Sequence, residues 1–395
     1  MNGFFASVEL LDYPHLRDVP MAVCGDPDSR HGIILAKNEI AKKYGVTTAE
    51  TIWQAKKKCP DLQLVPSHHD KYRHYSIEIN KIYLRYTDLV EPFSIDESWL
   101  DVTASQKLLG SGKEIADSIR ATVRKELGLT LSAGVSYNKI FAKMGSEYKK
   151  PDATTVITRE NYKEIIWPQK IDYMFFVGKA TAAKLKGLGI QTIGDMACTP
   201  RTTLQSVLGK QGGVLYDYAN GLENSPVNHY SHREPVKSVG NGITFRRNLK
   251  GIDDIKTALT ALSDTVASRL RKYALKASGV KVDIKDPGFK TISRQKQMNY
   301  PSNTTSDIYQ CALSIITSAW DPENPIRLIT VTAINLQDEG FSEQLCMFAQ
   351  SGESREKNAN IDTAMDSIRD KFGKGSITFG QVISNDLGIN EDDKK

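Results

Sequence analysis

Two acidic residues, Asp96 and Glu97, stand side by side in the stretch SIDESWLD (94–101). They fall between LVEPFS (89–94) and SWLDVT (98–103), two strand-like runs whose separation suits a hairpin. Within a continuous strand, neighbouring side chains point to opposite faces. At a hairpin tip both carboxylates reach one solvated edge instead. Two like charges there either decorate a solvated turn or share divalent metal, since Mg²⁺ takes carboxylate and phosphate oxygens. A pair of such ions activates a hydroxyl nucleophile and stabilises a leaving pyrophosphate. The pair alone leaves both readings open.

The elements that must hold these acids can be read from patterning. PMAVCG (20–25) and GIILAKN (32–38) read as short strands, and IAKKYG and TAETIWQAKKKCP (48–60) as short helices, so 10–66 forms a small basic α/β unit. Tyr72, Tyr75, Ile79, Ile82 and Tyr83 are spaced for a helix over 67–85, with His68, His69 and His74 as surface positions. A helix over 112–128 ends at Gly128, a strand covers 129–138, and a basic helix over 139–151 carries Lys139 and Lys143 on one face before Pro151. Strands separated by helices around an antiparallel hairpin imply an α+β sheet with helices on one face.

Beyond Tyr173 the character changes. Residues 174–200 hold two short helices around GLGI (187–190), the pattern of a helix-hairpin-helix that presents backbone N–H groups to phosphate, or of an ordinary αα-hairpin. The polar, Pro-interrupted stretch 224–238 reads as a linker. Strand 239–245, helix 252–273, strands 279–285 and 291–297, helix 304–320 and strand 326–335 then follow in split-βαβ order. A small terminal helix is expected over 361–373, and NEDDKK as a disordered tail.

At 395 residues the chain implies several domains, and its 40% hydrophobic and 25% charged content is that of a globular protein. No apolar run is long enough for a membrane helix, and MNGFFASVEL lacks the features of a secretory signal. Five scattered cysteines, none in a CxxC pair, argue for small buried core residues in a reducing cytoplasm. Residues 236–335 hold fifteen Lys/Arg against eight Asp/Glu, a larger excess than the +5 of the whole chain. That imbalance suits either a polyanion partner or solvated helix faces.

FFASVE (4–9), SIDESWLD (94–101), AGVSYNKIFAKMGSEYKKP (133–151), VGKATAAKLKGLGIQTIGD (177–195) and KSVGNGITFRRNL (237–249) occur in this order. Over nearly its whole length the chain resembles the Y-family, translesion DNA polymerases of the DinB type. The resemblance implies an α+β multidomain right hand. Its parts would be a palm (1–9 and 67–165), small fingers (10–66), a helix-hairpin-helix thumb (166–230), a linker (231–236), a split-βαβ little finger (237–340) and a C-terminal extension (341–395). It also implies a monomer that acts on primer–template DNA and dNTPs with two Mg²⁺ ions. Asp96 and Glu97 would be the catalytic metal ligands, with a backbone carbonyl from Met1. Phe5 would be the steric gate against a ribose 2′-hydroxyl, Phe4 its neighbour at the nucleotide, and Lys150 a triphosphate contact. Lys42 matches a position where the family often has Arg on the triphosphate. Glu39 stands three residues before it, where Tyr is common, and is expected to neutralise Lys42 in part. DNA contacts would come from Lys139, Lys143, Gly178, Lys179, Gly187, Gly189, Lys237, Arg246 and Arg247. Gly45, Val46, Thr47 and Thr48 would lie near the base pair in a loose, open site.

In the family a strand ending in a metal-binding Asp precedes the position of Met1. The resemblance therefore implies that the chain as written is weaker than an extended form, or inactive. In that case it would be a DNA-binding or clamp-linked protein. EQLCMFA (343–349) resembles the peptide by which such polymerases dock on a sliding clamp, through Gln344, Leu345, Met347 and Phe348; a last packed strand is the other reading.

Overall fold

The computed structural model describes residues 1–25, 32–338, 352–383 and 385–389. They divide into two compact units, Met1–Arg233 and Glu234–Lys395, so the boundary falls inside the polar stretch 224–238.

The first unit opens with α1 (Phe4–Asp12), which buries Phe4, Ala6, Val8 and Glu9. Strands β1 (Met21–Cys24) and β2 (Ile34–Lys37) pair antiparallel, and β3 (Gln63–Pro66) adds parallel to β1. Between them lie α2 (Glu39–Lys43), capped by the Asn38 side chain, and α3 (Ile52–Lys58), closed by a Thr51/Gln54 capping box. Val46 is packed into the core of this module rather than facing outward, against the expectation that it borders a base pair.

α4 (His69–Tyr83) buries Tyr72, Ile79, Ile82 and Tyr83, as its spacing predicts. β4 (Val90–Ser94) and β5 (Glu97–Leu100) form the expected hairpin, with Ser94 opposite Glu97. After α5 (Gln106–Leu109), α6 (Gly112–Leu127) starts on a Ser111/Glu114 capping box and ends with Gly128 at φ +66°. The strand expected over 129–138 shrinks to β6 (Ala133–Val135). Its partner is β7 (Thr154–Val156), which runs parallel to it from beyond α7 (Lys139–Tyr148). The strands of this region thus form two separate two-stranded sheets, not one continuous α+β sheet.

α8 (Tyr162–Ile165) leads into α9 (Lys179–Gly187) and α10 (Ile193–Cys198), the pair predicted around GLGI. α11 (Arg201–Leu208) and α12 (Lys210–Ala219) complete a helical module. Gly212 permits this last contact, because a Cβ there would lie 2.1 Å from the Leu204 carbonyl oxygen.

The second unit follows the predicted order: β8 (Ser238–Leu249), α13 (Gly251–Lys272), β9 (Leu275–Lys285), β10 (Thr291–Ser302), α14 (Thr305–Ala319) and β11 (Ile326–Asp338). The all-antiparallel sheet has the order β10-β9-β11-β8, and α13 and α14 cover it through Leu259, Leu262, Val266, Ile308, Ala312 and Ile316.

The C-terminal residues correct the expected extension. α15 spans Gly352–Phe372 and starts nine residues before the predicted terminal helix. Arg271 of α13 bonds Asp362 and Asp366 on it, and Arg369 answers Asp264. Val382, Leu387 and Ile389 enter the same core as the sheet. The polar look of 352–362 hid half a helix, because the face it packs against is charged. The peptide Gln344–Phe348 and the tail NEDDKK lie outside the described residues. Of the described cysteines, Cys24 and Cys59 are buried as expected, whereas Cys198 is exposed.

Candidate active site

The β4–β5 turn places Asp96 at its tip and Glu97 as the first residue of β5. Their side chains are 28% and 27% exposed, open enough to meet a ligand. Ser94 Oγ donates to Asp96 Oδ1 at 3.0 Å and fixes its orientation. The Met1 nitrogen donates to the Asp96 carbonyl oxygen at 2.9 Å, which puts Met1 against the turn. Asn2 is tied to Thr130 and Ser132 and holds this segment down.

α7 faces the hairpin. Lys143 Nζ lies 2.5 Å from Glu97 Oε1 and 3.0 Å from Glu147 Oε1, and Lys150 Nζ lies 2.6 Å from the same Glu147 oxygen. An alternating chain Glu97–Lys143–Glu147–Lys150 results. Burial works against the Lys143 charge, but the two carboxylates outweigh it and hold the ammonium above its ordinary lysine value. Lys139 is occupied elsewhere: both Glu91 oxygens take its ammonium, which also sits 5.2 Å from the Trp99 ring centre. Trp99 Nε1 in turn donates to the Lys139 carbonyl at 3.0 Å. Lys139 therefore braces α7 against the hairpin.

A cavity of about 510 Å³ lies beside this turn, lined on one side by Ser98–Leu100 of β5 and on the other by Ala133–Val135 of β6. Asp96, Glu97, Lys143 and Lys150 stand on its wall, and Ile115, Ile119 and Leu131 form an apolar floor.

Two carboxylates fit an Mg²⁺ ion of the kind completed by substrate oxygens, since that ion commonly uses one or two protein carboxylates. Among the described residues no third His, Cys, Asp or Glu joins them.

Phe5 is half-buried, its ring stacked on Tyr72 at 4.0 Å with 12° between planes, while Phe4 is buried in the core. Only the backbone of Phe4 remains for a nucleotide, a correction to its expected role. Lys42 is exposed and meets Glu39 at 3.4 Å, the partial neutralisation that the sequence implied. Gly178 precedes α9 as its N-cap, Lys179 is exposed, and Gly189 adopts φ +82°. A Cβ on Gly178, Gly187 or Gly189 would meet nothing within 4 Å, so this hairpin presents bare backbone outward.

In the second unit Lys237 is exposed just before β8, and Arg246 is exposed within it. Asp254 and Asp386 clamp the Arg247 guanidinium from two sides. Sequence reasoning missed that clamp, because Asp386 comes from the C-terminal segment, 139 positions away. It also gave no role to Glu9, the last residue of FFASVE, or to Tyr72 and His69, whose rings meet Phe5.

Residues 1–147 match the impB/mucB/samB family and residues 236–346 its C-terminal domain, while 176–223 match the thumb domain of DNA polymerase iota. The chain is 42% identical to DNA polymerase IV of Acetivibrio thermocellus over 99% of its own length and 97% of the relative's. This chain belongs to the DNA polymerase IV family. It is 36% identical to the Clostridium kluyveri DNA polymerase IV, over 97% of this chain and 96% of that one. A solved Y-family DNA polymerase chimera superposes with a TM-score of 0.75 at 24% identity, over 85% of this chain and 97% of that one. By this membership the chain is a DNA-directed DNA polymerase with the right-hand fold of the Y family. Among the described residues no helix is long and apolar enough to cross a membrane.

Proposed function

We propose that the chain extends a DNA primer on a template by nucleotidyl transfer from dNTPs, in the error-tolerant bypass mode, with two Mg²⁺ ions at Asp96 and Glu97. The observation that carries this reading is the hairpin tip: two adjacent, half-exposed carboxylates opposite Lys143 and Lys150. Bound Mg²⁺ would supply Lewis acidity to the primer hydroxyl and the pyrophosphate. Asp96 is oriented for that task by Ser94, and Glu97 by Lys143. Lys150 offers a compact, three-donor charge to a triphosphate, and nucleotide binding would take it from Glu147. Phe5 presents its ring to the sugar, and the backbone of Met1 and Phe4 lines the same edge. Phosphoryl transfer is mostly positioning and electrostatics, and this arrangement supplies both. The bare glycine backbone of the α9–α10 hairpin, Lys179, and Lys237 and Arg246 of the second unit suit phosphate contacts without sequence preference. Docking on a sliding clamp through Gln344–Phe348 completes the reading.

Primer extension with Mg²⁺ and all four dNTPs tests it. Template-directed addition that disappears in Asp96→Asn, with DNA binding kept, is expected. Addition that survives Asp96→Asn would refute the assignment. A second reading, a DNA-binding protein with impaired chemistry, is favoured by the lack of a third acidic ligand among the described residues. Tight primer–template binding with no addition would select it.

A further inference from the structure

Glu9 is a carboxylate with no accessible surface, four residues along α1 from Phe5. Three side chains of the 68–72 segment converge on it. Tyr72 Oη donates to Glu9 Oε1 at 2.5 Å, His68 Nδ1 lies 3.0 Å from the same oxygen, and Lys71 Nζ lies 3.3 Å from Oε2. Lys71 also reaches Asp12 at 2.6 Å, so its charge is shared. Tyr72 Oη further accepts the backbone N–H of His68 at 3.1 Å, which leaves its ring fixed at the polar end. Phe5 stacks face to face on that ring, with the His69 ring edge-on at 5.8 Å.

Holding α1 to α4 does not require a carboxylate. Burying a charge costs several kcal/mol per ion even when it is paired, and an apolar side chain of similar volume often does as well. A polar lock is useful where one ring position must be selected over others. Apolar stacking alone lets two rings slide, since offset geometries differ little in energy. A hydrogen bond to the phenol removes that freedom.

We propose that Glu9 is a positioning residue for sugar selection: through Tyr72 it fixes the Phe5 ring against which the nucleotide sugar is sorted. The inference rests on the reading of Phe5 as the sugar gate. His68 and His69, surface positions in the sequence, acquire a place in it as a second hold on Glu9 and as the edge contact of Phe5.

The test compares kcat/KM for a dNTP and its rNTP in the full chain and in Phe5→Ala, Glu9→Leu, Glu9→Gln and Tyr72→Phe. Tyr72→Phe removes one oxygen and serves even if Glu9→Leu does not fold. Where turnover is slow, the ratio of Kd values on a dideoxy-terminated primer–template gives the same comparison. Phe5→Ala should collapse selectivity. Glu9→Leu and Tyr72→Phe should each lower it about tenfold, and their combination should lower it no further, as expected for two ends of one link. Glu9→Gln, which keeps an acceptor for Tyr72, should recover part of the loss. A purely structural role would reduce use of both nucleotides alike. Unchanged selectivity in Glu9→Leu and Tyr72→Phe alongside collapse in Phe5→Ala would overturn this inference and leave the gate standing. Unchanged selectivity in Phe5→Ala would remove the gate itself, and the inference with it.

Discussion

Gly134→Ala is a single methyl group that should unseat the candidate active site. A Cβ on Gly134 would lie 1.8 Å from the Ala142 carbonyl oxygen and 2.6 Å from the Ser146 nitrogen. Both are backbone atoms of α7, so no rotamer change relieves the clash. Carbon–oxygen contacts settle near 3.3 Å, so β6 and α7 must part by roughly 1.5 Å. A shift of that size stretches the 2.5 Å Lys143–Glu97 contact and the 3.0 Å Trp99–Lys139 bond past useful length. Overpacking costs about 1–3 kcal/mol, and backbone that cannot yield puts this case at the upper end. In a unit of this size about 3 kcal/mol lowers Tm by roughly 6–12 °C. Thermal unfolding followed by tryptophan fluorescence reads the loss, since Trp99 sits at the displaced contact. Primer extension should fall with it. Gly187→Ala is the control for Tm alone: its Cβ meets nothing, and helix propensity favours Ala by about 1 kcal/mol. A Gly134→Ala protein with unchanged Tm and extension would refute the close approach of β6 and α7.

Three further outcomes are expected. Arg271→Leu strands the nearly buried Asp362 without its counter-charge and should destabilise the second unit by about 3–5 kcal/mol in urea unfolding. Leu at 271 and 362 together should restore only part of that, because Asp366 then still lacks Arg271. Burial acts to raise the Asp366 pKa, but Arg271 and Ser268 outweigh it and hold the carboxyl below its ordinary value. Its stabilising contribution is therefore full above the unfolded pKa and fades as pH falls through the lowered folded one. The Tm gap between the parent and Asp366→Asn should be widest near pH 7 and close toward about pH 3. Cys198 is exposed and Cys24 and Cys59 are buried, so Cys198→Ser should remove one fast-reacting thiol in a native-state titration.

Periodicity and turns made much of the architecture legible. The hairpin around Asp96, the helix ending at Gly128, the α9–α10 pair and the β-α-β-β-α-β order all rest on local signals, and local signals are what a sequence carries plainly. The misses share one cause. β7 has only three residues and exists because α7 carries the chain back beside β6. The C-terminal helix reads as polar because its partners are Arg271 and Asp264, charges on another helix. Lys139 and Arg247 look like free cations until Glu91, 48 positions away, and Asp386, 139 positions away, arrive beside them. FFASVE contains both Phe5 and Glu9, but the Glu9–Tyr72 hydrogen bond spans 63 positions and shows no sign in it. Side-chain pairing across long separations leaves no periodic trace.

The return of the C-terminal segment into the second unit also orders events during synthesis. Every contact of the first unit is available once Arg233 has emerged, so that unit can fold while the rest is being translated. The second unit cannot close its core until Leu387 and Ile389 are in place, nor can Arg247 find Asp386. A premature stop anywhere in the last helix would thus release a folded first unit joined to a second unit whose core lacks Val382, Leu387 and Ile389.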